Sequence, residues 1–295
     1  MEEYDAAGIF ENAKEYSDTA LIVISRSGPD NYENLGRHAD AQVLVNTTPV
    51  GMYPKNGEQP VDLAVFPALE GVLDVIYNPR RTALLQQAEA LDIPCSDGLP
   101  MLVAQAKAAE EHFFGTAIPD GENERILAQL RQETENIVLI GMPGCGKTTV
   151  GHLLAQKTGR EAIDLDERIA ARAGCSIPEI FARGGEADFR VLEREETAKA
   201  GALSGKILLT GGGVVKTAEN YPSLHQNGRI YHLLRPIGEL ATDGRPLSQG
   251  ADLSAMWAER EPLYRRFRDV VIENTGTVED TADGIWRDFC AHSGD

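Results

Sequence analysis

The sequence is poor in positive charge, with 28 lysines and arginines against 46 aspartates and glutamates and a formal net charge of −18 over 295 residues. A nucleic-acid partner requires a basic face for its phosphates, and no such face is visible in the sequence. The composition therefore argues against nucleic acid as a partner. If the substrates are anions, the few arginines must be concentrated at the site, because the overall field repels anions.

Cysteines and long apolar runs are also scarce. The four cysteines form no C-x-x-C pair, so neither a disulfide framework nor a zinc site is indicated. No stretch approaches the ~18 apolar residues of a membrane span, and the N-terminus "MEEYDAAGIF" lacks the layout of a signal peptide. These absences predict a cytoplasmic protein that does not associate with a membrane.

Short apolar runs alternate with helical patterns, which is typical of an α/β fold with a mostly parallel sheet. Runs such as "LIVIS", "QVLVN" and "VLDVIY" are predicted strands in the first part of the chain. The stretch "GTAIPDGENE" carries glycine, proline and acidic residues without periodicity, and "RILAQLRQETE" after it is compatible with a short helix. The sequence therefore predicts a domain at 1–115, a linker at 116–135 and a second domain at 136–295.

The segment "GMPGCGKTT", residues 141–149, follows a predicted strand, precedes a predicted helix and matches G-x-x-x-x-G-K-[ST]. Glycines allow backbone N–H groups to turn inward around phosphate oxygens, and the helix N-terminus adds positive potential. We predict a nucleoside triphosphate here, with Lys147 at its β- and γ-phosphates and the Thr148 hydroxyl on Mg²⁺. The predicted ATP-binding residues of the loop are Gly144, Cys145, Gly146, Lys147, Thr148 and Thr149.

A carboxylate near the metal must come from outside the usual strand, because "ILLTGGG" ends without an acidic residue. The "DLD" segment that ends another predicted strand is the obvious source. Alternation places Asp164 and Asp166 on one side of an extended segment, so one can face metal-bound water and the other an acceptor hydroxyl. The alternative is a strand end followed by a helix N-cap.

Six motifs stand in the order and spacing of shikimate kinases: "GMPGCGKTT", "DLDERI", "GGEADFRVLEREE", "LLTGGGVV", "GRPLS" and "EREPLYRR". Residues 136–290 resemble that family. The resemblance implies a P-loop kinase domain, with a parallel sheet flanked by helices and a lid. It implies transfer of the γ-phosphoryl group of ATP to the 3-hydroxyl of shikimate, a step of aromatic amino-acid biosynthesis, by a monomeric domain.

The resemblance also implies a substrate site. Arg190 and Arg260 match the arginines that hold the shikimate carboxylate, a task suited to bidentate guanidinium groups. Glu193, one helical turn from Arg190, could fix its rotamer. A solvated or ion-paired surface position is the alternative for each arginine. Close approach of backbone to the substrate ring is implied at Gly211, Gly212 and Gly213.

Three further residues are implied to act on the reacting groups. Asp166 matches the residue that binds the shikimate hydroxyls and is the candidate base, whereas Asp164 matches the residue linked to Mg²⁺ through water. Arg245 in "GRPLS" matches the lid arginine, which contacts ATP and would neutralise charge in the transition state.

The motifs "NTTPVGMYP", "DVIYNPRRTALL" and "DGLPMLVAQA" resemble the C-terminal half of shikimate dehydrogenases, which implies a partial Rossmann-like α/β domain that binds NADP. Tyr77 and Gln105 match residues that contact shikimate, and Arg26 in "SRS" matches the arginine that pairs with the 2′-phosphate of NADP. Asn46, Thr48 and Gly98 match positions in the segments that line the nicotinamide in that family.

Two parts of a working dehydrogenase have no counterpart in the sequence. No G-x-G-x-x-G turn precedes Ser25, and the family's substrate domain, with its catalytic lysine and aspartate, is not matched. We therefore expect a truncated, catalytically silent dehydrogenase part in front of a kinase. The alternatives are a bifunctional NADP-dependent dehydrogenase and kinase, another small-molecule P-loop kinase such as a gluconate or nucleotide kinase, and a nucleotide-binding module without chemistry.

Overall fold

The computed structural model describes residues 21–24, 38–119, 121–241 and 252–292. The chain divides into two compact units, Met1–Gly115 and Thr116–Asp295. Each unit is built on a sheet in which all strands run parallel. The predicted α/β fold class, with helices beside parallel sheets in both parts of the chain, is confirmed.

The sheet of the first unit has four strands in the order β1-β2-β3-β4. Its core consists of apolar residues from the strands and from the first helix, including Leu44, Val72 and Leu84. That helix begins at an N-cap, Thr82, whose side chain accepts a hydrogen bond from the N–H of Leu85. The elements are β1 (Leu21–Ile24), β2 (Val43–Asn46), β3 (Gly71–Asp74), α1 (Ala83–Ala90), β4 (Cys95–Ser96) and α2 (Leu99–Phe114).

The sheet of the second unit has five strands in the order β6-β7-β5-β8-β9. The central strand β5, "NIVLI", is buried at every position, which explains why it is a continuous apolar run rather than an alternating one. The elements are α3 (Gly121–Thr134), β5 (Asn136–Ile140), α4 (Lys147–Thr158), β6 (Ala162–Asp164), α5 (Leu165–Ala173), α6 (Ile177–Gly201), β7 (Ile207–Leu209), α7 (Asn220–His225), β8 (Gly228–Leu234), α8 (Leu253–Phe267), β9 (Val270–Glu273) and α9 (Val278–His292).

Helix α3 occupies most of the segment predicted as a linker and belongs to the second unit. Gln132 Nε2 donates to Cys290 Sγ at 3.0 Å, which ties α3 to α9. Arg160 donates to the carbonyl oxygen of Glu135 at 2.6 Å and lies over the rings of Trp286 and Phe289. The polar composition of this segment is therefore that of a surface helix, which packs against the rest of the second unit.

Helix α6 begins at the predicted capping box, in which Glu179 Oε2 accepts from the N–H and the hydroxyl of Ser176, both at 2.8 Å. The helix is interrupted at Gly185, where φ is 72° and ψ is −168°. The interruption separates the N-terminal part of α6 from the part that carries Arg190.

None of the helices in the described part of the chain combines the length and apolar character that a membrane span requires.

Candidate active site

The site lies at the carboxyl edge of the second sheet. Because its strands are parallel, the segments that follow them meet at this edge. The loop 141–146 follows β5, Asp164 ends β6, the segment 210–213 follows β7 and Asn274 follows β9. Loops far apart in the sequence are thus brought together.

The loop 141–146 is closed by the side chain of Lys147. Lys147 Nζ donates to the carbonyl oxygens of Gly141 at 2.8 Å and Met142 at 3.1 Å. The side chain is therefore nearly buried, with a relative exposure of 7%. Gly146, at φ +98°, ends the loop and caps α4, so the ammonium group and the helix N-terminus lie at the same place.

Thr148 and Asp164 place two oxygen ligands side by side. Thr148 Oγ1 lies 3.5 Å from Asp164 Oδ2. The other carboxylate oxygen, Oδ1, caps α5 by accepting from the N–H groups of Asp166 at 2.9 Å and Glu167 at 3.4 Å. The two interpretations of the "DLD" segment are therefore compatible, since one oxygen caps the helix and the other faces the loop.

A cleft of about 480 Å³ opens at this edge. The structure brings most of the predicted site residues of the second unit together around it. Those that line the cleft are Gly146, Lys147, Thr148, Asp164, Asp166, Arg190, Gly211, Gly212, Gly213 and Arg260.

Three other predicted residues lie outside the lining of the cleft, and a fourth is not among the described residues. Gly144 and Cys145 belong to the loop but not to the lining, and Cys145 is fully buried. Thr149 lines a separate cavity beside α4, together with His152. Arg245, the predicted lid residue, lies outside the described residues.

Arg190 is held by two carboxylates of its own helix. Its Nε and Nη2 donate to Glu186 Oε1 at 3.2 and 2.9 Å, and Nη1 donates to Glu193 Oε2 at 2.7 Å. The guanidinium also lies over the ring of Phe189, 5.2 Å from its centroid. Glu186 in turn accepts from Lys216 Nζ at 2.9 Å. The contact between Arg190 and Glu193 was predicted from the sequence. The contacts of Glu186 with Arg190 and with Lys216 were not.

Glu193 is buried between charged groups. Burial raises the pKa of its carboxyl, whereas the adjacent Arg190 guanidinium lowers it. Oε1 is buried, and no hydrogen-bond donor within the described ranges reaches it. The pKa of Glu186 is shifted in the opposite direction, because hydrogen bonds from Lys216 and Arg190 lower it to about 2. Burial lowers the pKa of Arg190, but the two carboxylates raise it, Glu193 more than Glu186.

Arg260 enters the cleft from α8 and is fixed by backbone. Its Nη1 donates to the carbonyl oxygen of Gly212 at 3.1 Å, and the Tyr264 hydroxyl donates to the same oxygen at 2.5 Å. Arg260 Nε is buried and meets no acceptor in the part of the chain that the structure describes. The guanidinium thus retains N–H groups for an anionic ligand.

The glycines after β7 leave room for the charged side chains. A β-carbon on Gly211 would lie 2.7 Å from Asp166 Oδ1, and one on Gly212 would lie 2.5 Å from the ring of Pro143. Both distances are too short for real contacts. The absence of side chains here allows Asp166 and the loop to approach the backbone of the strand end.

One wall of the cleft is apolar, and it was not predicted from the sequence as part of a site. Phe181 and Phe189 stack with their ring centroids 4.9 Å apart, and Met256 approaches from α8. Apolar side chains at helical spacing are indistinguishable from core residues in the sequence alone. Such a wall suits the carbon face of a small polar ring.

His232 lies beneath the loop, at the third position of the buried strand segment "IYHL". Its ring stacks on Tyr264 at 4.6 Å, and Arg268 Nη1 lies 3.3 Å from its Nδ1. Burial lowers the pKa of His232 to about 4, and the nearby Arg268 and Lys147 act in the same direction. His232 is therefore neutral at physiological pH, which avoids a further positive charge under Lys147.

In the first unit, Asn46 and Thr48 belong to a buried network at the strand ends. Asn46 Nδ2 donates to Asp74 Oδ1 at 3.0 Å, and the Thr48 hydroxyl donates to Asn46 Oδ1 at 2.8 Å. Thr82 donates to the other oxygen of Asp74 at 2.8 Å. Burial nevertheless raises the pKa of Asp74. Both predicted residues thus have structural hydrogen bonds.

The other residues predicted in the first unit differ in exposure. Tyr77 is 52% exposed, and Gln105 is exposed on α2. Gly98 packs against the backbone, because a β-carbon there would lie 1.9 Å from the carbonyl oxygen of Val75. Arg26 lies outside the described residues.

Comparison with known proteins gives matches to both units. Solved structures that match the N-terminal part include shikimate dehydrogenases. One is the chorismate mutase/shikimate 5-dehydrogenase fusion protein from Clostridium acetobutylicum, at 29% identity and a TM-score of 0.36, covering 44% of this chain and 52% of that chain.

The second unit has stronger matches. A family model described as shikimate kinase matches residues 143–289. The shikimate kinase of Bordetella avium (strain 197N) is 42% identical over 161 residues, which cover 52% of this chain and 76% of that protein. The structure of shikimate kinase from Acinetobacter baumannii in complex with shikimate matches at 32% identity and a TM-score of 0.51, covering 56% of this chain and 97% of that chain. These matches confirm the resemblance inferred from the motifs, and the chain belongs to the shikimate kinase family.

Proposed function

We propose that the second unit transfers the γ-phosphoryl group of ATP to the 3-hydroxyl of shikimate. The observation that carries the proposal is the placement of Lys147, Arg190 and Arg260 around one cleft of about 480 Å³. A phosphate-binding loop and two guanidinium groups on separate helices thus face the same space. This arrangement fits an acceptor that carries a carboxylate at one end and a reacting hydroxyl at the other.

The acceptor hydroxyl is proposed to lie between Asp166 and the loop. Asp166 lines the cleft beside Gly211, and its backbone N–H is fixed by Asp164 Oδ1 at 2.9 Å. A carboxylate in this position can orient the hydroxyl or accept its proton as the bond to phosphorus forms. The apolar wall of Phe181 and Phe189 would pack against the carbon ring of the acceptor.

Mg²⁺ is proposed to bind between the loop and β6. The Thr148 hydroxyl and Asp164 Oδ2, 3.5 Å apart, are hard oxygen ligands of the kind that Mg²⁺ prefers. Among the described residues, no group of three or more His, Cys, Asp or Glu could hold a metal alone, so phosphate oxygens and water would complete the coordination. When bound, the ion neutralises charge on the phosphates. Asp164 would reach it through water.

The test is an assay of ADP formation by the full chain with ATP, Mg²⁺ and a panel of acceptors. The panel holds shikimate, shikimate methyl ester, gluconate and a nucleoside monophosphate, and we expect turnover with shikimate and little with the other acceptors. Shikimate methyl ester and a nucleoside monophosphate bring no carboxylate to Arg190 and Arg260, and gluconate carries its carboxylate on an open chain and not on a ring that could pack on the apolar wall. Lys147→Ala should abolish turnover. Turnover with gluconate or a nucleotide but not with shikimate would overturn the proposal.

The same preparation tests the bifunctional alternative. Shikimate and NADP are mixed with the chain without ATP, and nicotinamide absorbance is followed. We expect no change, since Asn46 and Thr48 are engaged in hydrogen bonds within the first unit. Reduction of NADP would establish a dehydrogenase activity in addition to the kinase.

A further inference from the structure

Asn274 lies directly after β9, at the edge of the sheet where the active site forms. Its backbone N–H donates to the carbonyl oxygen of Leu234 at 2.8 Å, which continues the pairing of β9 with β8 by one residue. The residue is 4% exposed. Its position is therefore fixed by the sheet, and its side chain is enclosed by protein.

The side-chain amide of Asn274 connects the loop to helix α9. Nδ2 donates to the carbonyl oxygen of Cys145 at 2.7 Å, and Oδ1 accepts from the Thr281 hydroxyl at 2.8 Å. A carbonyl oxygen can only accept, so the nitrogen of the amide must face Cys145. Both ends of the amide are thus paired, and its orientation is determined.

This contact fixes the peptide between Cys145 and Gly146. A trans peptide holds its C=O and N–H in opposite directions, so anchoring the carbonyl of Cys145 also sets the direction of the Gly146 N–H. Gly146, at φ +98°, lines the cleft. A β-carbon on Gly146 would lie 2.7 Å from Asn274 Nδ2. The glycine gives the peptide little resistance to rotation, and Asn274 supplies the restraint.

The neighbouring peptides of the loop are held by other groups. The carbonyl oxygen of Gly144 accepts from the N–H of Ala241 at 3.3 Å, and those of Gly141 and Met142 accept from Lys147. The restraint on the carbonyl of Cys145 comes from the side chain of Asn274.

We propose that Asn274 is a positioning residue for the nucleotide. It holds the Cys145–Gly146 peptide so that the Gly146 N–H is aimed at a phosphate before the nucleotide binds, and Thr281 holds Asn274 in turn. The inference rests on the proposed function, in which the loop binds the phosphates of ATP. N–H groups that are already oriented bind a phosphate without the cost of reorganising the loop.

The experiment measures ADP binding by calorimetry without shikimate, together with steady-state KM values for ATP and shikimate. Asn274→Ala should raise the ADP Kd and the ATP KM about tenfold, the effect of one buried hydrogen bond, with an unchanged shikimate KM. Asn274→Asp keeps the shape and the acceptor for Thr281 but cannot donate to Cys145, so the same loss is expected. Thr281→Val should give a smaller loss in the same direction.

Asn136→Ala is the matched control. Asn136 Nδ2 donates to the carbonyl oxygen of Leu203 at 2.6 Å, and its Oδ1 accepts from the N–H of Lys206 at 2.7 Å. It is thus a buried asparagine bonded at both ends, but at the start of β5, the opposite edge of the same sheet. We expect Asn136→Ala to lower the Tm without changing the ADP Kd.

The outcomes separate the possible failures. If Asn274→Ala lowers the Tm as Asn136→Ala does and leaves the ADP Kd unchanged, Asn274 is only structural and the proposal is overturned. Should the Asn274 variants not fold, an unchanged ADP Kd in Thr281→Val overturns it equally. A wild-type chain that binds no ADP would instead overturn the proposed function.

Discussion

The guanidinium group of Arg190 occupies the space where a side chain on Gly213 would begin. A β-carbon on Gly213 would lie 2.4 Å from Nη2 and 2.8 Å from Nη1 of Arg190. The third glycine of the "GGG" segment is therefore required by the position of this guanidinium group. The atoms that a β-carbon would meet are the end of a flexible side chain and not backbone atoms.

Gly213→Ala should therefore displace Arg190 without unfolding the protein. We expect the shikimate KM to rise about tenfold, the effect of losing a hydrogen bond to a charged group, with the ATP KM unchanged. Steady-state kinetics measure the two KM values, and a thermal melt checks that the variant is folded. Gly284→Ala in α9 is the control, since no atom lies within 4 Å of a β-carbon there. A Gly213→Ala enzyme with wild-type kinetics would show that Arg190 does not bind the substrate.

Glu186→Gln should strengthen shikimate binding. Glu186 Oε1 occupies the Nε and Nη2 edge of Arg190, the edge that a substrate carboxylate would use for a bidentate contact. A neutral glutamine competes less well for this edge, so we expect the shikimate KM to fall several-fold at low ionic strength.

Glu261→Gln is the matched control for that experiment. Glu261 Oε1 accepts from Arg265 Nε at 3.2 Å and Nη2 at 2.9 Å, the same distances as in the Glu186–Arg190 pair, but neither residue lines the cleft. Glu261→Gln should leave the shikimate KM unchanged. A higher shikimate KM in Glu186→Gln would mean that Glu186 orients Arg190 instead of competing for it.

Arg260→Ala should raise the shikimate KM by about 10- to 100-fold, since one charged hydrogen-bonding partner is worth about 1.5–3 kcal/mol. The ATP KM should not change, because Arg260 contacts Gly212 and not the phosphate loop. Arg260→Lys keeps the charge but loses the planar fork, so an intermediate KM is expected. An unchanged shikimate KM in Arg260→Ala would show that the assigned substrate is wrong.

The parts of the site that the sequence predicted are those set by local spacing. The phosphate loop needs glycines and Lys147 within one short segment, and "DLD" places Asp164 and Asp166 at a strand end. Such patterns are visible because the chemistry and the backbone constraint fall on neighbouring residues. The parallel sheets were predictable for the same reason, since each strand–helix unit carries its own periodicity.

The parts that the sequence did not predict depend on contacts between distant segments. Asn274, after β9, reaches Cys145 in the loop after β5 across the intervening strand β8. Lys216 reaches Glu186 from the loop after β7. Neither pair has a fixed spacing. The apolar wall at Phe181 was missed because an apolar helical residue predicts burial in the same way whether it faces the core or a substrate.

His232 should make the stability of the second unit depend on pH. Burial lowers its pKa from 6.5 to about 4, so between these values the unfolded chain takes up a proton that the folded protein does not. The stabilisation is complete above about pH 7 and is lost as the pH falls through this window. For a pKa of about 4, the loss between pH 7 and pH 5 is about 2 kcal/mol.

His232→Phe keeps a ring against Tyr264 and removes the titrating group. Urea unfolding followed by tryptophan fluorescence reports on the second unit, because the only two tryptophans of the chain, Trp257 and Trp286, both belong to it. We expect the wild-type free energy of unfolding to fall more steeply from pH 7 to pH 5 than that of the variant, by about 2 kcal/mol. The same substitution at the exposed His152 should leave the wild-type slope unchanged. Parallel pH curves for the wild type and His232→Phe would show that His232 does not carry the effect.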